Sequence, residues 1–147
     1  LYFSTDTIGS YKITDIEYKE IFDWPSVRAQ GEKLPSLKKH KNTIIVASRS
    51  HLSSETESFI EDIKKQNKNI EIISSGSSIK ICLVAEGVAD IYPRFAPTME
   101  WDTAAGHAIA KGAGKEIYQA GENVPLIYNK EDLLNPWFIV EQKRTKI

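Results

Sequence analysis

The chain has 147 residues, a formal net charge of −1 and one cysteine, Cys82. The length allows one domain with its own core, and the near-neutral charge argues against a broad nucleic-acid or membrane-surface interface. One cysteine excludes an internal disulfide framework and suits a reducing compartment such as the cytoplasm. No apolar run approaches the ~20 residues that a membrane span needs. An anionic ligand would therefore be held locally, by a few well-placed donors.

The N-terminal segment LYFSTDTI, residues 1–8, lacks the basic and apolar regions of a signal peptide. Its first letters are similar to the remnant of an engineered protease site, so we expect residues 1–8 to be a tag or linker outside the fold. Residues 9–147 would then form a single α/β domain. Its first expected elements are a strand over 11–16, a helical piece near 17–22 and a long surface connection.

Strands and helices alternate through the middle of the chain. Thr43–Ala47 is a continuous apolar run rich in β-branched residues, which is typical of a buried parallel strand. Ser54 and Glu57 have the spacing of a capping box and predict the start of a helix that continues to Gln66. Ile70–Ile73 predicts the next strand.

The same alternation continues to the C-terminus. A helix is predicted over residues 78–86 and ended by Gly87, a short strand ends at Pro93, and a helix runs from Thr103 to about Lys111. The last part of the chain predicts three strands and one helical turn: KEIYQA (115–120), VPLIYN (124–129), PWFIVEQ (136–142) and the turn KEDLL (130–134). This order predicts an α/β fold with a mostly parallel central sheet flanked by helices.

The stretch PTMEWDTAAGHA, residues 97–108, places a Trp-Asp pair before a run of very small residues. Asp102 has the residue type of a helix N-cap, which is the simpler explanation of its place. The small residues behind it predict a helix that approaches other backbone closely, with its N-terminus set in a cleft. There the carboxylate would be a hard oxygen ligand suited to Mg²⁺. One carboxylate does not complete a catalytic metal site, so further ligands must come from elsewhere.

A Ser/Gly-rich turn, SSGSSIK (74–80), follows one predicted strand and precedes a predicted helix. Ser77 and its neighbours expose amides and hydroxyls at the positive end of the helix dipole, which predicts an anion site. The turn is not a Walker loop, because the G-x-x-x-x-G-K-[ST] spacing is absent. Lys80 lies just inside the helix and could reach a phosphate. The alternatives are a plain serine cap and a solvated lysine.

Two more candidate donors lie near strand ends. His51, in SRSH, follows the carboxyl end of a predicted parallel strand, where open α/β sheets bind ligands. It could donate to a phosphate, stack on a base or be a plain surface histidine. Arg94, in YPRF, could fork onto a phosphate or form a structural ion pair. Strand-to-helix turns share one edge of a parallel sheet, so we expect these residues to surround one site.

These residues together resemble a known family. The stretch GSSIKICLVAEGVADIYPRFAPTMEWDTAAGHAIAKGAG is similar to the second half of the CysQ-type 3′(2′),5′-bisphosphate nucleotidases, in the magnesium-dependent inositol monophosphatase superfamily. The W-D-x-A-A-G signature is present as residues 101–106, and ASRSH and LLNPWFIV also match the nucleotidase pattern. The resemblance covers about residues 9–142 and implies the C-terminal domain of the inositol monophosphatase fold.

The resemblance implies a role for each matching position. Asp102 corresponds to the metal-binding aspartate of the motif. Ser77 and Lys80 correspond to contacts with the adenosine phosphate at the head of the preceding helix. Arg94 corresponds to an arginine that contacts the nucleotide, and His51 to a histidine beside it. The segment DIYPRF favours a nucleotidase, because inositol phosphatases generally have no arginine there.

The first half of the family pattern is missing from this sequence. In relatives that half carries a metal-binding glutamate and a D-P-[IL]-D-G-T motif, and no such motif is found here; Glu100 is left without a role. We therefore expect the chain to be the C-terminal half of a two-domain phosphatase, with Asp102 as one ligand of Mg²⁺. The parent enzyme would hydrolyse 3′-phosphoadenosine 5′-phosphate to AMP and phosphate, in sulfur assimilation. The isolated half would be inactive and would associate with its missing half or with itself.

Two other functions stay open at this point. A binding module would hold an adenine nucleotide weakly and perform no chemistry. Half of an inositol monophosphatase would act on a different phosphate ester. Heat of AMP binding that Arg94→Ala loses would support nucleotide binding, and phosphate release from inositol 1-phosphate against the bisphosphate nucleotide would identify the substrate.

Overall fold

The computed structural model describes residues 1–14, 24–36, 41–48 and 53–144. The predicted helical piece near 17–22 and the end of the strand predicted over 11–16 lie outside these residues. His51 also lies outside them.

The N-terminal residues form a small antiparallel sheet. Strand β1 (Tyr2–Thr5) pairs with β2 (Gly9–Lys12), and β2 pairs with the two-residue strand β3 (Glu32–Lys33). Helix α1 (Trp24–Gln30) precedes β3 in a region that the sequence predicted as a surface connection. Excluding residues 1–8 from the fold was therefore wrong, because β1 supplies one side of the hairpin. Their origin as a tag remnant stays a prediction.

The hairpin is joined to the rest of the molecule by a buried carboxylate. Glu86, in helix α3 (Ile79–Glu86), accepts hydrogen bonds from the Tyr2 hydroxyl and from Lys12 Nζ, the latter at 2.6 Å. Glu86 is 4% exposed, so the pair is shielded from water on the helix side. Burial, with Glu86 nearby, raises the pKa of the Cys82 thiol in the same helix to about 11. Charge pairing and burial thus connect β1 and β2 to α3.

The central sheet begins with a parallel pair. Strand β4 (Thr43–Ser48) runs parallel to β5 (Ile70–Ser75), and helix α2 (Ser54–Gln66) is the crossover between them. The N-cap of α2 is Ser53, whose hydroxyl accepts the Thr56 N–H at 3.3 Å. The capping box predicted at Ser54 and Glu57 is wrong by one residue, because the serine one position earlier provides the cap.

Three further strands complete the central sheet. Strand β6 (Tyr92–Arg94) pairs with β8 (Phe138–Gln142), which pairs with β7 (Lys115–Gln119), and both pairings are antiparallel. A parallel bridge between Ile45 and Ile91 places β6 beside β4. The order is therefore β5-β4-β6-β8-β7, and every strand except β8 runs in one direction. The predicted α/β class and mostly parallel sheet are confirmed.

Helix α4 (Glu100–Gly112) connects β6 to β7 and packs closely on α3. A Cβ placed on Gly106 would meet Ile81 Cδ1 at 2.9 Å, so a larger residue there would require the buried Ile81 side chain to shift. The close approach to other backbone that the small residues of α4 predicted is found at Gly112, where a Cβ would meet the backbone nitrogen of Ser10 at 3.1 Å. Ile81, Val84 and Phe138 belong to the main core between the sheet and these helices.

Two local predictions near the C-terminus were wrong. The segment 124–129 is not a strand but an extended stretch beside β7, where Leu126 N–H donates to the Ile117 carbonyl at 2.9 Å. The segment 130–134 forms no helical turn; its Leu134 lies in a single antiparallel bridge with Met99. Tertiary contacts with β7 and with the start of α4 replace local hydrogen bonds in both segments. No helix in the described ranges is long and apolar enough to cross a membrane.

Candidate functional site

A cavity of about 430 Å³ opens at the carboxyl edge of the parallel strands. Four of the five residues predicted from the sequence line it, namely Ser77, Lys80, Arg94 and Asp102. Strands β4, β5 and β6 end at this edge with Ser48, Ser75 and Arg94, and the first turn of helix α4 lines the same cavity through Trp101 and Asp102. The parallel topology is therefore what brings distant segments of the chain together.

The turn between β5 and α3 has an unusual backbone. Ser77 has φ of +50°, in the left-handed region that is unfavourable for residues with a Cβ. Ser78 is the N-cap of α3, and its side chain makes no capping hydrogen bond. The first turn of α3 therefore lacks the side-chain acceptor that usually satisfies free amides, and this end of the helix faces the cavity.

The buried side chain of Lys80 stabilises this turn. It is 3% exposed, and its Nζ donates to the carbonyls of Ser77 at 2.8 Å and Ser75 at 3.2 Å. The ammonium lies 5.2 Å from the centroid of the Tyr92 ring. Burial, together with the positive charge of Arg94, lowers the pKa of Lys80. The solvated lysine that the sequence left open is therefore excluded, and the ammonium is held inside the wall of the cavity.

Arg94 extends from the end of β6 into the same cavity. Its Nη2 donates to the Pro97 carbonyl at 3.4 Å, which is a weak bond. Its Nε is buried and has no hydrogen-bond partner among the described residues. Buried guanidinium donors are normally satisfied, so the unpaired Nε marks a place where an acceptor from outside the described chain would fit. None of the ion pairs found in the described residues involves Arg94, so the predicted structural pair has no support.

Asp102 lies in the first turn of α4 and is not its N-cap. The helix starts at Glu100, three residues before the predicted start, with Met99 as N-cap. The Asp102 carboxylate reaches back and accepts the Met99 N–H at 2.8 Å through Oδ2. The side chain is exposed on the cavity wall, and Oδ1 makes no hydrogen bond within the described residues. One oxygen thus stabilises the helix end while the other stays available to a ligand.

Glu100, to which the sequence assigned no role, holds a loop in place. Its carboxylate accepts the Asn129 N–H at 2.7 Å and the Lys130 N–H at 3.2 Å, and forms an ion pair with Lys130 Nζ. The bond with Lys130 and the two amides lower the pKa of Glu100. Asn129 has φ of +65°, so the loop makes a tight left-handed turn at this carboxylate.

The described residues do not provide a complete metal site. They contain no cluster of three or more His, Cys, Asp or Glu side chains that could hold an ion. Asp102 is chemically suited to be one oxygen ligand of Mg²⁺, but Mg²⁺ prefers near-octahedral oxygen coordination. Further ligands would have to come from outside the described part of the chain.

Several residues at this site were missed by sequence reasoning. Thr98 and Trp101 line the cavity, and Trp101 is 66% exposed. Thr103 and Asn135 lie buried behind Asp102 and bond to each other at 3.0 Å. The signal for Asn135 was its place in LLNPWFIV, a segment used only as part of the resemblance. His51 follows β4 by three residues, outside the described part of the chain, so its relation to the cavity stays a prediction.

Comparison with known proteins identifies the family. The model of the inositol monophosphatase family matches residues 21–146. The chain belongs to this family. A crystal structure of CysQ from Bacteroides thetaiotaomicron, described as a bacterial member of the family, is similar with a TM-score of 0.93 and 60% identity. That similarity covers 98% of this chain and 54% of the CysQ chain.

Two curated family members share the name 3′(2′),5′-bisphosphate nucleotidase CysQ. The Shigella flexneri protein is 42% identical over 109 residues, which is 74% of this chain and 42% of the relative. The Escherichia coli K12 protein is 45% identical over 98 residues, which is 66% of this chain and 38% of the relative. The chain therefore matches about two fifths of the length of these curated relatives.

Proposed function

We propose that this chain is the C-terminal half of a magnesium-dependent 3′(2′),5′-bisphosphate nucleotidase that converts 3′-phosphoadenosine 5′-phosphate to AMP and phosphate. The observation that supports this most is the cavity lined by both Arg94, whose Nε has no hydrogen-bond partner among the described residues, and the exposed Asp102 carboxylate. Anion donors and a metal-type ligand around one cavity suit a phosphate ester with a bound cation. Similarity to nucleotidases named CysQ supports the choice of substrate. The place in sulfur assimilation and the cytoplasmic location belong to the same proposal.

The donors on the β5 and β6 side would bind and orient the nucleotide. The free amides at the start of α3 and the Ser77 hydroxyl would contact one phosphate, and Arg94 would fork onto it. Lys80 would act mainly by holding the Ser77 carbonyl, because its ammonium already donates to two carbonyls. His51 would contact the nucleotide next to Arg94. These contacts supply orientation and charge neutralisation rather than bond breaking.

Asp102 would hold one magnesium ion through Oδ1, the carboxylate oxygen that does not accept the Met99 N–H. Carboxylate oxygens are ligands that Mg²⁺ prefers. Bound magnesium would supply an activated water and stabilise the leaving oxygen. The described residues contribute this single carboxylate, so we expect this chain alone to release phosphate far more slowly than the parent enzyme. Its association with the missing half or with itself is part of the same proposal.

The deciding experiment compares this chain with the complete reading frame that contains it. We expect the complete protein to release phosphate from 3′-phosphoadenosine 5′-phosphate in the presence of magnesium, and the chain alone to lack this activity. Preference of the complete protein for inositol 1-phosphate would favour the inositol monophosphatase alternative. AMP binding to the chain with no hydrolysis by the complete protein would favour a binding module. Turnover by the chain alone at the rate of the complete protein would contradict the proposed division of ligands.

A further inference from the structure

Asn135 is a buried polar side chain that the proposed chemistry does not use. It is 4% exposed, and its Nδ2 donates to the Met99 carbonyl at 2.9 Å and to Thr103 Oγ1 at 3.0 Å. A longer contact of 3.3 Å joins Nδ2 to Thr98 Oγ1. The backbone N–H of Asn135 donates to the Thr98 carbonyl at 2.8 Å. One amide group therefore contacts three residues around the start of α4.

The oxygen of this amide is unpaired within the described ranges of the chain. Asn135 Oδ1 is buried and accepts no hydrogen bond from any residue in them. Rotating the amide would not help, because the oxygen would then face the Met99 carbonyl, which can only accept. An unpaired buried acceptor is unfavourable, and a leucine of similar size would avoid it. The presence of asparagine at this position is therefore explained by the hydrogen bonds that its NH₂ group donates to Met99 and Thr103.

The contacts of Asn135 lead directly to Asp102. Met99 and Asp102 bond to each other twice, since the Met99 N–H donates to Asp102 Oδ2 at 2.8 Å and the Asp102 N–H donates to the Met99 carbonyl at 3.0 Å. The same Met99 carbonyl accepts Asn135 Nδ2. The Met99 side chain makes no capping hydrogen bond, so the bonds of its backbone with Asp102 and Asn135 take the place of a side-chain cap at this helix end.

We propose that Asn135 is a positioning residue that sets the orientation of the Asp102 carboxylate at the cavity, acting through the Met99 carbonyl. Its effect on the first turn of α4 follows from the contacts alone. Its effect on hydrolysis rests on the proposed function. Thr103 has a second support in the Tyr128 hydroxyl, at 3.4 Å, which does not contact Met99. Of the two side chains that contact Thr103 here, Asn135 is the one that also contacts Met99.

Amide hydrogen exchange tests the proposal without any ligand. In the variant Asn135→Asp, a carboxylate faces the Met99 carbonyl, and we expect exchange at the Met99 and Asp102 amides to accelerate about tenfold. Asn67→Asp is the matched control, because Asn67 Nδ2 donates to Thr43 Oγ1 at 2.7 Å, at the end of α2. We expect this control to leave the two amides unchanged after correction for global stability. Equal effects of both variants would overturn the proposal.

Two further measurements separate positioning from general stability. In a double-mutant cycle of Asn135→Ala and Asp102→Ala, exchange at the Met99 amide should be non-additive by about threefold or more. Additive effects would contradict action through the shared turn. In the wild-type chain, the Asn135 side-chain NH₂ protons should exchange about tenfold more slowly than those of exposed Asn123. Equal rates would overturn the proposal even if every variant failed to fold.

The complete reading frame supplies the functional test. Asn135→Ala should lower kcat and raise the magnesium concentration for half-maximal rate by about tenfold, while KM for the nucleotide stays the same. A rise in KM with kcat unchanged would contradict positioning of the metal ligand. If the unmodified complete protein hydrolyses nothing, the proposed function fails, whereas the exchange results still decide whether Asn135 holds Asp102.

Discussion

Helices α3 and α4 both begin at the cavity, but their N-termini are completed in opposite ways. The start of α3 has no side-chain cap, and the positive charges of Lys80 and Arg94 lie beside it. The start of α4 carries two carboxylates, Glu100 and Asp102, each accepting backbone amides. Of these two carboxylates only Asp102 lines the cavity, because Glu100 is buried and paired with Lys130. The start of α3 therefore offers donors suited to an anion, and the start of α4 offers one carboxylate suited to a cation.

The comparison also concerns rigidity. The start of α4 is held by side chains from distant segments, such as Asn135 and Lys130. The start of α3 is held from within its own turn, by Lys80 donating to two carbonyls of residues 75 and 77. The α3 turn should therefore be sensitive to substitutions within that turn, whereas the α4 end should respond to changes far away in sequence.

The largest effect is expected at Arg94, whose guanidinium lines the cavity and has one donor, Nε, without a partner among the described residues. Arg94→Ala should weaken binding of a phosphate-bearing ligand such as AMP by about 10- to 100-fold, since a hydrogen bond with a charged group contributes roughly 1.5–3 kcal/mol. Arg94→Lys should fall between, because it keeps the charge and loses the fork. Calorimetry measures both. Arg28→Ala, an exposed arginine in α1, is the control, and an equal loss there would remove Arg94 from the site.

A substitution of Lys80 tests whether its buried ammonium stabilises the turn before α3. Lys80→Met keeps the length of the side chain and removes the bonds to the Ser75 and Ser77 carbonyls. We expect the free energy of unfolding to fall by about 1–3 kcal/mol. Urea unfolding measures this change, with Lys68→Met, at an exposed position before β5, as the control. An unchanged midpoint for Lys80→Met would show that the buried ammonium does not stabilise the turn.

Ser77 and Ser78 form a matched pair with opposite expected signs. Ser77→Gly should stabilise the chain by up to about 1 kcal/mol, because glycine adopts positive φ without the strain of a Cβ. Ser78→Gly should destabilise it by about 0.5–1 kcal/mol, since Ser78 has a right-handed helical backbone and glycine loses more entropy there. Thermal unfolding of both variants is the measurement. Loss of stability in both would mean that the left-handed turn at Ser77 is not strained.

Glu100 predicts a pH dependence at the α4 end. Its pKa is lowered in the folded protein by Lys130 and two amides, so its stabilising contribution is full above about pH 4.5 and is lost as the pH falls through the folded pKa. Glu100→Gln should therefore flatten this part of the acid-side loss of stability. Urea midpoints measured across the acid range would show it, with exposed Glu122→Gln as the control. Identical slopes for Glu100→Gln and wild type would contradict the prediction.

The positions of most elements could be predicted from local patterns. The continuous run Thr43–Ala47, the stop of α3 at Gly87 and the small residues of α4 each correspond to an observed feature. The failures share a cause. The segments 124–129 and 130–134 have suitable composition for a strand and a helical turn, but their backbone groups bond instead to β7 and to the start of α4. Local propensity is weak compared with such contacts.

The candidate site divides in the same way. Residue type together with position at predicted strand ends and helix starts predicted Ser77, Lys80, Arg94 and Asp102 as donors and ligands, and all four line one cavity. The groups that these four side chains contact could not be predicted. Lys80 turned inward to two carbonyls, and Asp102 lies inside the first turn rather than at the cap. No local pattern explained an asparagine at position 135. The reason is its contact with the Met99 carbonyl, which is far away in the sequence.

The sequence by itself determined the family, the order of the central elements and the chemical types of the candidate donors, since these depend on short patterns of residues. Only the tertiary structure decided that the ends of β4, β5 and β6 meet the start of α4 at one cavity. It also decided which polar groups satisfy one another and which stay unpaired, as Arg94 Nε and Asn135 Oδ1 do. The physical reason is that burial and hydrogen-bond pairing depend on segments that are far apart in the sequence and are brought together by the sheet. A local pattern of residues does not specify which of these segments meet.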